Sequence, residues 1–299
     1  MTNLGRSSRG AAIAVTAQAP GNILPSPWLR QALWSAFWGI ASVSLFAGLW
    51  ELCWALGWAN PMLLPPPHMF LSDFFEQGRF FDKHTRMGNP TAGAIALAVA
   101  VTVGKSTLRV LAGLFAAFVL SLGIGLAVRY LPVLGKLTLP IVNLLAPVSP
   151  VAWLPVAILI FGIGDAPAVF LVFIALFFIM TLATLRLIDG VPASYINVAR
   201  IMGATRAQIF LQVILPAILP GLFIVLRLNL FAAWMMLLIA EAVGVGSGLG
   251  LVVMVARTTF NAQLAFFTMA VIGLVGFALD MALRQVQNRV LYWVPVRKN

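Results

Sequence analysis

Six runs of about twenty residues or more pass almost without a charge, at 33–58, 108–128, 137–161, 167–188, 218–243 and 264–283. A hydrocarbon layer about 30 Å thick is crossed by roughly 20 residues of helix. Inside it every backbone N–H and C=O must find a partner within the chain, which a helix provides along its own length. The pattern therefore predicts an all-α integral membrane protein with six transmembrane helices. Charge elsewhere is too sparse for any other outcome: 62% of the 299 residues are hydrophobic and 9% charged, against roughly 45–50% and about 25% in a soluble domain.

The net charge of +11 would suggest nucleic acid in a soluble protein. Here it is read as orientation, with a lipid bilayer and no nucleic acid as partner, because Lys and Arg gather on the cytosolic side of membrane proteins. With the N-terminus cytosolic, twelve Lys and Arg fall on cytosolic segments, among them Arg129, Lys136, Arg186, Arg200, Arg206 and Arg284, and five on outer segments, Arg79, Lys83, Arg86, Lys105 and Arg257. That asymmetry puts both termini of a multi-pass membrane protein on the cytosolic side. The organisation expected is a disordered cytosolic tail at 1–32, a first span at 33–58, an outer loop with interfacial helices at 59–106, a core at 107–288 and a cytosolic tail at 289–299. Thr91 to Val103 is too short to cross alone and predicts an interfacial helix. Phe70, Phe74, Phe75, Phe80 and Phe81, mixed with charges, predict an amphipathic helix lying on the outer interface. Ala17-Gln18-Ala19 resembles a cleavage site, but the run before it lacks the bulk of a signal core.

The segment 189–216 is the longest polar-containing insertion between spans on the cytosolic side. Pro192 suits a helix start, and Gly203 sits where a left-handed residue would end that helix. Thr205 and Gln208 have the spacing of a capping box for a second helix, which is expected to stop at Leu215-Pro216. The product is an elbow of two short helices, with small residues Ala199, Gly203 and Ala207 leaving backbone open to another protein.

Tyr195-Ile196-Asn197-Val198-Ala199-Arg200-Ile201-Met202-Gly203-Ala204-Thr205, followed by Val213-Ile214-Leu215-Pro216, resembles the "EAA…G…LP" loop of binding-protein-dependent ABC importer permeases. Asn197 stands where that motif has Glu, and Val198 where it has its first Ala. Residues 63–81, the run Pro147-Val148-Ser149-Pro150-Val151-Ala152-Trp153-Leu154-Pro155, and Phe161-Gly162-Ile163-Gly164-Asp165 are similar to the nitrate, sulfonate, taurine and bicarbonate branch. The resemblance implies a dimer around a shared pathway, simplest as a homodimer and otherwise a heterodimer, and a separate ATPase subunit that carries ATP and Mg. It further implies a bacterial cytoplasmic membrane, an external solute-binding protein and a small solute, either an anion such as a sulfonate, taurine, nitrate or bicarbonate or a vitamin precursor or other small heterocycle. Asn197, Ala199, Arg200, Gly203, Ala204, Thr205, Gln208 and Pro216 would form the coupling loop. No cofactor is expected on this chain, and it is not read as an enzyme.

Ionisable residues inside spans are costly and usually functional; here they are chiefly Glu51, Arg109, Arg227, Glu241 and Asp280. Arg227 and Glu241 lie about 21 Å apart along one helix, so each needs its own explanation. Arg227 either snorkels to the interface or belongs to a gate or anion path. Glu241 either orients the glycine turn that follows it, faces the docked binding protein, or is a plain interfacial residue. Pro147, Pro150 and Pro155 break the third span, which makes it either a kinked packing helix or a break with Ser149 and Trp153 as candidate pathway lining. Gly244, Gly246, Gly248 and Gly250 are expected to form an irregular turn lining a water-filled mouth. Gly104-Lys105-Ser106 lacks the upstream glycine of a phosphate loop, and His68, His84 and Cys53 form no metal set. The rival class, an ion-driven secondary transporter, would show internal repeats and more mid-membrane charge.

Overall fold

A computed structural model describes residues 27–58 and 60–293. The expected N-terminal tail lies outside these up to residue 26, as do residues 294–299 of the expected C-terminal tail. Helix α1 (Pro27–Ala55) opens the described chain. Four short elements follow: α2 (Pro67–Ser72), α3 (Phe74–Gly78), a 3-10 turn (Arg79–Phe81) and α4 (Lys83–Met87). The long helices α5 (Ala92–Tyr130) and α8 (Asp165–Asp189) bracket α6 (Pro132–Leu145), a 3-10 turn (Pro150–Trp153) and α7 (Leu154–Phe161). Then come α9 (Ala193–Ile201), α10 (Arg206–Ile209), a π-helical turn (Phe210–Ile214), α11 (Leu215–Gly244), α12 (Leu249–Thr258) and α13 (Ala262–Val290).

Among the described residues five helices are long and apolar enough to cross a membrane, and α6 with the α7 arm makes a sixth when counted as one bent span. The bend there is 99°. Pro147 and Pro150 account for it, since neither can donate the N–H that would continue α6, and Pro150 and Pro155 each sit in the first turn of the element that restarts.

The core is the seam between α5 and α8, which run side by side: Val110, Leu114 and Ala117 meet Leu171, Val172, Leu176 and Met180, all buried. Leu230, Ala233 and Leu237 of α11 close it from a third side. In lipid such burial gains little from the hydrophobic effect and stabilises through close packing instead. Helix α1 is different in kind. Its described side chains are largely exposed, and it meets the rest through Trp50 on Phe70 and Phe266, with centroids at 6.0 and 5.2 Å, and through Glu51 on His68.

Three expectations are corrected. Residues 91–103 are no separate interfacial helix but the first third of α5, which runs unbroken for 39 residues. The phenylalanine-rich outer segment does not lay its apolar face on lipid: Phe70 and Phe81 are buried, Phe74 and Phe80 pack on the main core, and Phe75 is the exposed one. The reason is that α3 caps the top of α5, Gly78 lying against Ile95 and Val99. The second elbow helix does not stop at Pro216. A π turn, in which Leu215 N–H donates to Phe210 O, delivers Pro216 into the first turn of α11, where no N–H is needed.

Candidate functional site

The elbow is built by local rules. Pro192 precedes α9 with extended ψ of 129°, and α9 ends in Gly203 at φ +79°. Gly203 N–H donates to Arg200 O and Ala204 N–H to Ala199 O, both at 3.0 Å, which is the paired closure of a Schellman motif. One residue later Thr205 N–H donates to Gln208 Oε1 at 2.8 Å and Gln208 N–H to Thr205 Oγ1 at 3.3 Å, the reciprocal capping box expected from the sequence. Each helix end thus satisfies its own orphan backbone groups, and the corner needs no partner to hold its shape.

The inner side of the elbow packs on a small separate core. Ile196, Ala199 and Ala204 lie on buried Ile188, Ile209, Ile214, Ile218 and Leu222. Asn197, Arg200, Gly203, Thr205 and Gln208 point outward, and Pro216 is half-buried. At the tip stand Ile201 and Met202, 86% and 80% exposed, flanked by exposed Tyr195 and Val198. An apolar tip of this kind on a polar loop was not legible as a unit, because in sequence its members look like the buried stripe of an amphipathic helix.

At the opposite end of the bundle lies a buried ion network that joins three long helices. Arg109 of α5 is 4% exposed, and all five of its N–H donors are engaged. Nη1 reaches Glu241 Oε1 at 2.6 Å and Ser247 O at 3.0 Å. Nη2 reaches Ser247 Oγ at 2.8 Å, and Nε reaches Asp165 Oδ1 at 3.0 Å, with Nη2 sharing that same oxygen. Glu241, fully buried, also accepts from Ser106 Oγ at 2.7 Å and from Gly250 N–H at 3.0 Å. The irregular turn expected after α11 is present at 245–248. It wraps around a carboxylate, so closely that a Cβ on Gly248, at φ +111°, would collide with the Glu241 carboxyl group. Of the readings open for Glu241, orienting this turn is the one its contacts express.

Arg227 belongs to a second cluster. Its Nε donates to Asp280 Oδ1 at 2.6 Å, and Arg284 Nε donates to Asp280 Oδ2 at 2.8 Å from one helical turn away. Asp280 is thus shared by two arginines. Ser149 is exposed in the α6–α7 break, while Trp153 is half-buried and packs on the main core. Ser149, Trp153, Arg227 and Glu241 are not gathered around one point: the last two sit in separate ion clusters, each with a partner from another helix.

A bundle of five or six apolar helices, one bent at prolines, with ion pairs between its spans and a self-capped helical elbow at one end, is the architecture of a polytopic membrane protein. Residues 110–292 match the family of binding-protein-dependent transport system inner membrane components, and the chain belongs to it: it is a permease subunit of an ABC importer. It is 29% identical over 254 residues to the taurine transport system permease protein of Escherichia coli, covering 85% of this chain and 88% of that one. Against the putative aliphatic sulfonates transport permease protein of Bacillus subtilis it is 27% identical, with 85% and 87% covered. The nitrate import permease protein of Leptolyngbya laminosa is 27% identical, with 63% and 68% covered. The fold is shared with an inward-facing structure of the MetNI methionine ABC transporter, at a TM-score of 0.52 and 22% identity over 62% of this chain and 95% of that one.

Proposed function

We propose that this chain forms half of the membrane pathway of an importer for a small anion of the sulfonate, taurine or nitrate kind, and that its α9–α10 elbow is the handle by which a separate ATPase subunit moves the spans. The observation that carries this reading is the elbow. It closes its own backbone at both helix ends, offers an exposed apolar tip at Ile201 and Met202, and runs without interruption through the π turn into α11. A rigid knob continuous with a span transmits displacement; a slack connector would absorb it. ATP and Mg belong to the partner ATPase, an external solute-binding protein delivers the solute, and a second copy of this chain completes the pathway, since homo-oligomers with two-fold symmetry are the commonest assembly. The arginine excess on the elbow side supports a cytosolic elbow and cytosolic termini. Similarity to taurine, sulfonate and nitrate permeases supports the anion class.

The reading is tested in vesicles containing this chain with its ATPase, ATP inside and the binding protein outside. Labelled taurine, sulfonates, nitrate and an uncharged heterocycle of vitamin-precursor size are then offered in turn. Uptake of one of them that requires ATP supports the proposal, and uptake that proceeds without the ATPase refutes it. Uptake confined to an uncharged heterocycle would keep the mechanism and overturn the anion class.

A further inference from the structure

The three charges at the far end of the bundle are not equivalent. Arg109 and Glu241 already neutralise each other, at 4% and 0% exposure. Asp165 adds a second negative charge to a pair that is balanced without it, and its side chain is 72% exposed. An exposed carboxylate contributes little to stability, so charge compensation does not explain why Asp165 is held on a buried guanidinium. Its position does. Asp165 is the first residue of α8, directly after a turn in which Gly162 and Gly164 take φ of +74° and +150°. Its partners through Arg109 lie in the glycine turn between α11 and α12, where Ser247 gives both its carbonyl and its hydroxyl to the same guanidinium. Apart from this bridge, the backbone link between the two turns is a long one, Gly164 N–H to Gly244 O at 3.3 Å.

We propose that Asp165 and Arg109 form a releasable latch between the α7–α8 turn and the glycine turn, shut in this structure and parted when that end of the bundle opens to take up solute. Glu241 is the permanent counter-ion. It keeps Arg109 neutralised in both states, so Asp165 can leave without stranding a buried charge, and water can solvate Asp165 at once because it is already at the surface. Asp165 is a positioning residue: it touches no solute and acts by setting how readily the two turns separate. The proposal rests on the reading of the elbow as an ATPase handle.

The test uses the full complex with Cys53 replaced by Ser, since Cys53 is the chain's single cysteine. Binding-protein-stimulated ATP hydrolysis by the unaltered complex is measured first, so that failure of the handle reading is recognised before the latch is tried. The pair Asp165→Cys with Ser247→Cys is then oxidised with and without ATP and vanadate. The latch predicts rapid disulfide formation without nucleotide, at least about fivefold slower formation in the trapped state, and loss of transport on oxidation that a reductant reverses. Equal rates in both states, or full transport by the oxidised pair, would overturn it. Asp165→Asn separates the latch from a merely structural role. Without the binding protein its ATP hydrolysis should rise about fivefold, the shift expected for loss of one accessible ion pair, while its melting temperature is unchanged. Asp165→Glu should restore the low basal rate. A lowered melting temperature with unchanged basal hydrolysis would refute the proposal.

Discussion

The residue on which most converges is Arg109, whose guanidinium has no donor left over. Arg109→Ala strands Glu241 as a buried carboxylate with no cation, at a cost of about 3–5 kcal/mol. Folded yield and melting temperature in detergent should both fall. Adding Glu241→Met should recover part of the loss, because removing both members of a buried pair is far less damaging than removing one. No recovery in the double variant would show that Glu241 matters more through Ser106 and Gly250 than through Arg109. The sequence singled out Arg109, Arg227, Glu241 and Asp280 as costly, and it could go no further. Arg109 and Glu241 are 132 positions apart and Arg227 and Asp280 are 53 apart, whereas helical periodicity speaks only about neighbours on one element. Ser247 carried no signal, and Asp165 entered only as the last residue of a family-like run, with nothing to tie either to a guanidinium until packing places them there.

At the level of elements, the elbow was legible because its signals are local: a proline, a glycine and a capping pair within the seventeen residues 192–208 fix each helix end. A Cβ at Gly203 meets nothing within 4 Å, so the cost of substitution there is conformational and not steric. Gly203→Asn should therefore be nearly neutral, Gly203→Ala cost about 1 kcal/mol, and Gly203→Val more, since a β-branched residue is poorest in the left-handed region. Thr205→Ala should cost about 1 kcal/mol through its lost cap. ATPase stimulation by this chain, measured across the series, should decline in that order, and an order unrelated to left-handed propensity would separate the corner from coupling. What the sequence misplaced was where helices fail to stop. Lys105 and Ser106 read as the edge of the membrane for α5, yet the helix passes through them because Ser106 faces Glu241 and α3 covers the turns above. Pro216 read as an end and proved to be a beginning, once a π turn had shifted the register.

For the molecule as a whole, the orientation is the premise that joins these parts. Single cysteines at Arg200 and Arg206 should react with an impermeant thiol reagent from the cytosolic face of inverted vesicles, and one at Arg257 from the outer face of intact cells. Reversal of that pattern would place the elbow beyond reach of any ATPase. One dimension of the fold bears on how the two faces communicate. With 39 residues, α5 is about 58 Å long, nearly twice the hydrocarbon thickness of about 30 Å. Its upper turns are clasped by α3, its middle carries Arg109, and at its foot the Tyr130 ring sits 5.8 Å from that of Phe210, in the turn that follows the elbow. A stiff rod held at three heights behaves as a tiller: one end cannot lean without the other swinging, so a displacement at the α3 collar and one at the turn after the elbow act on the same shaft.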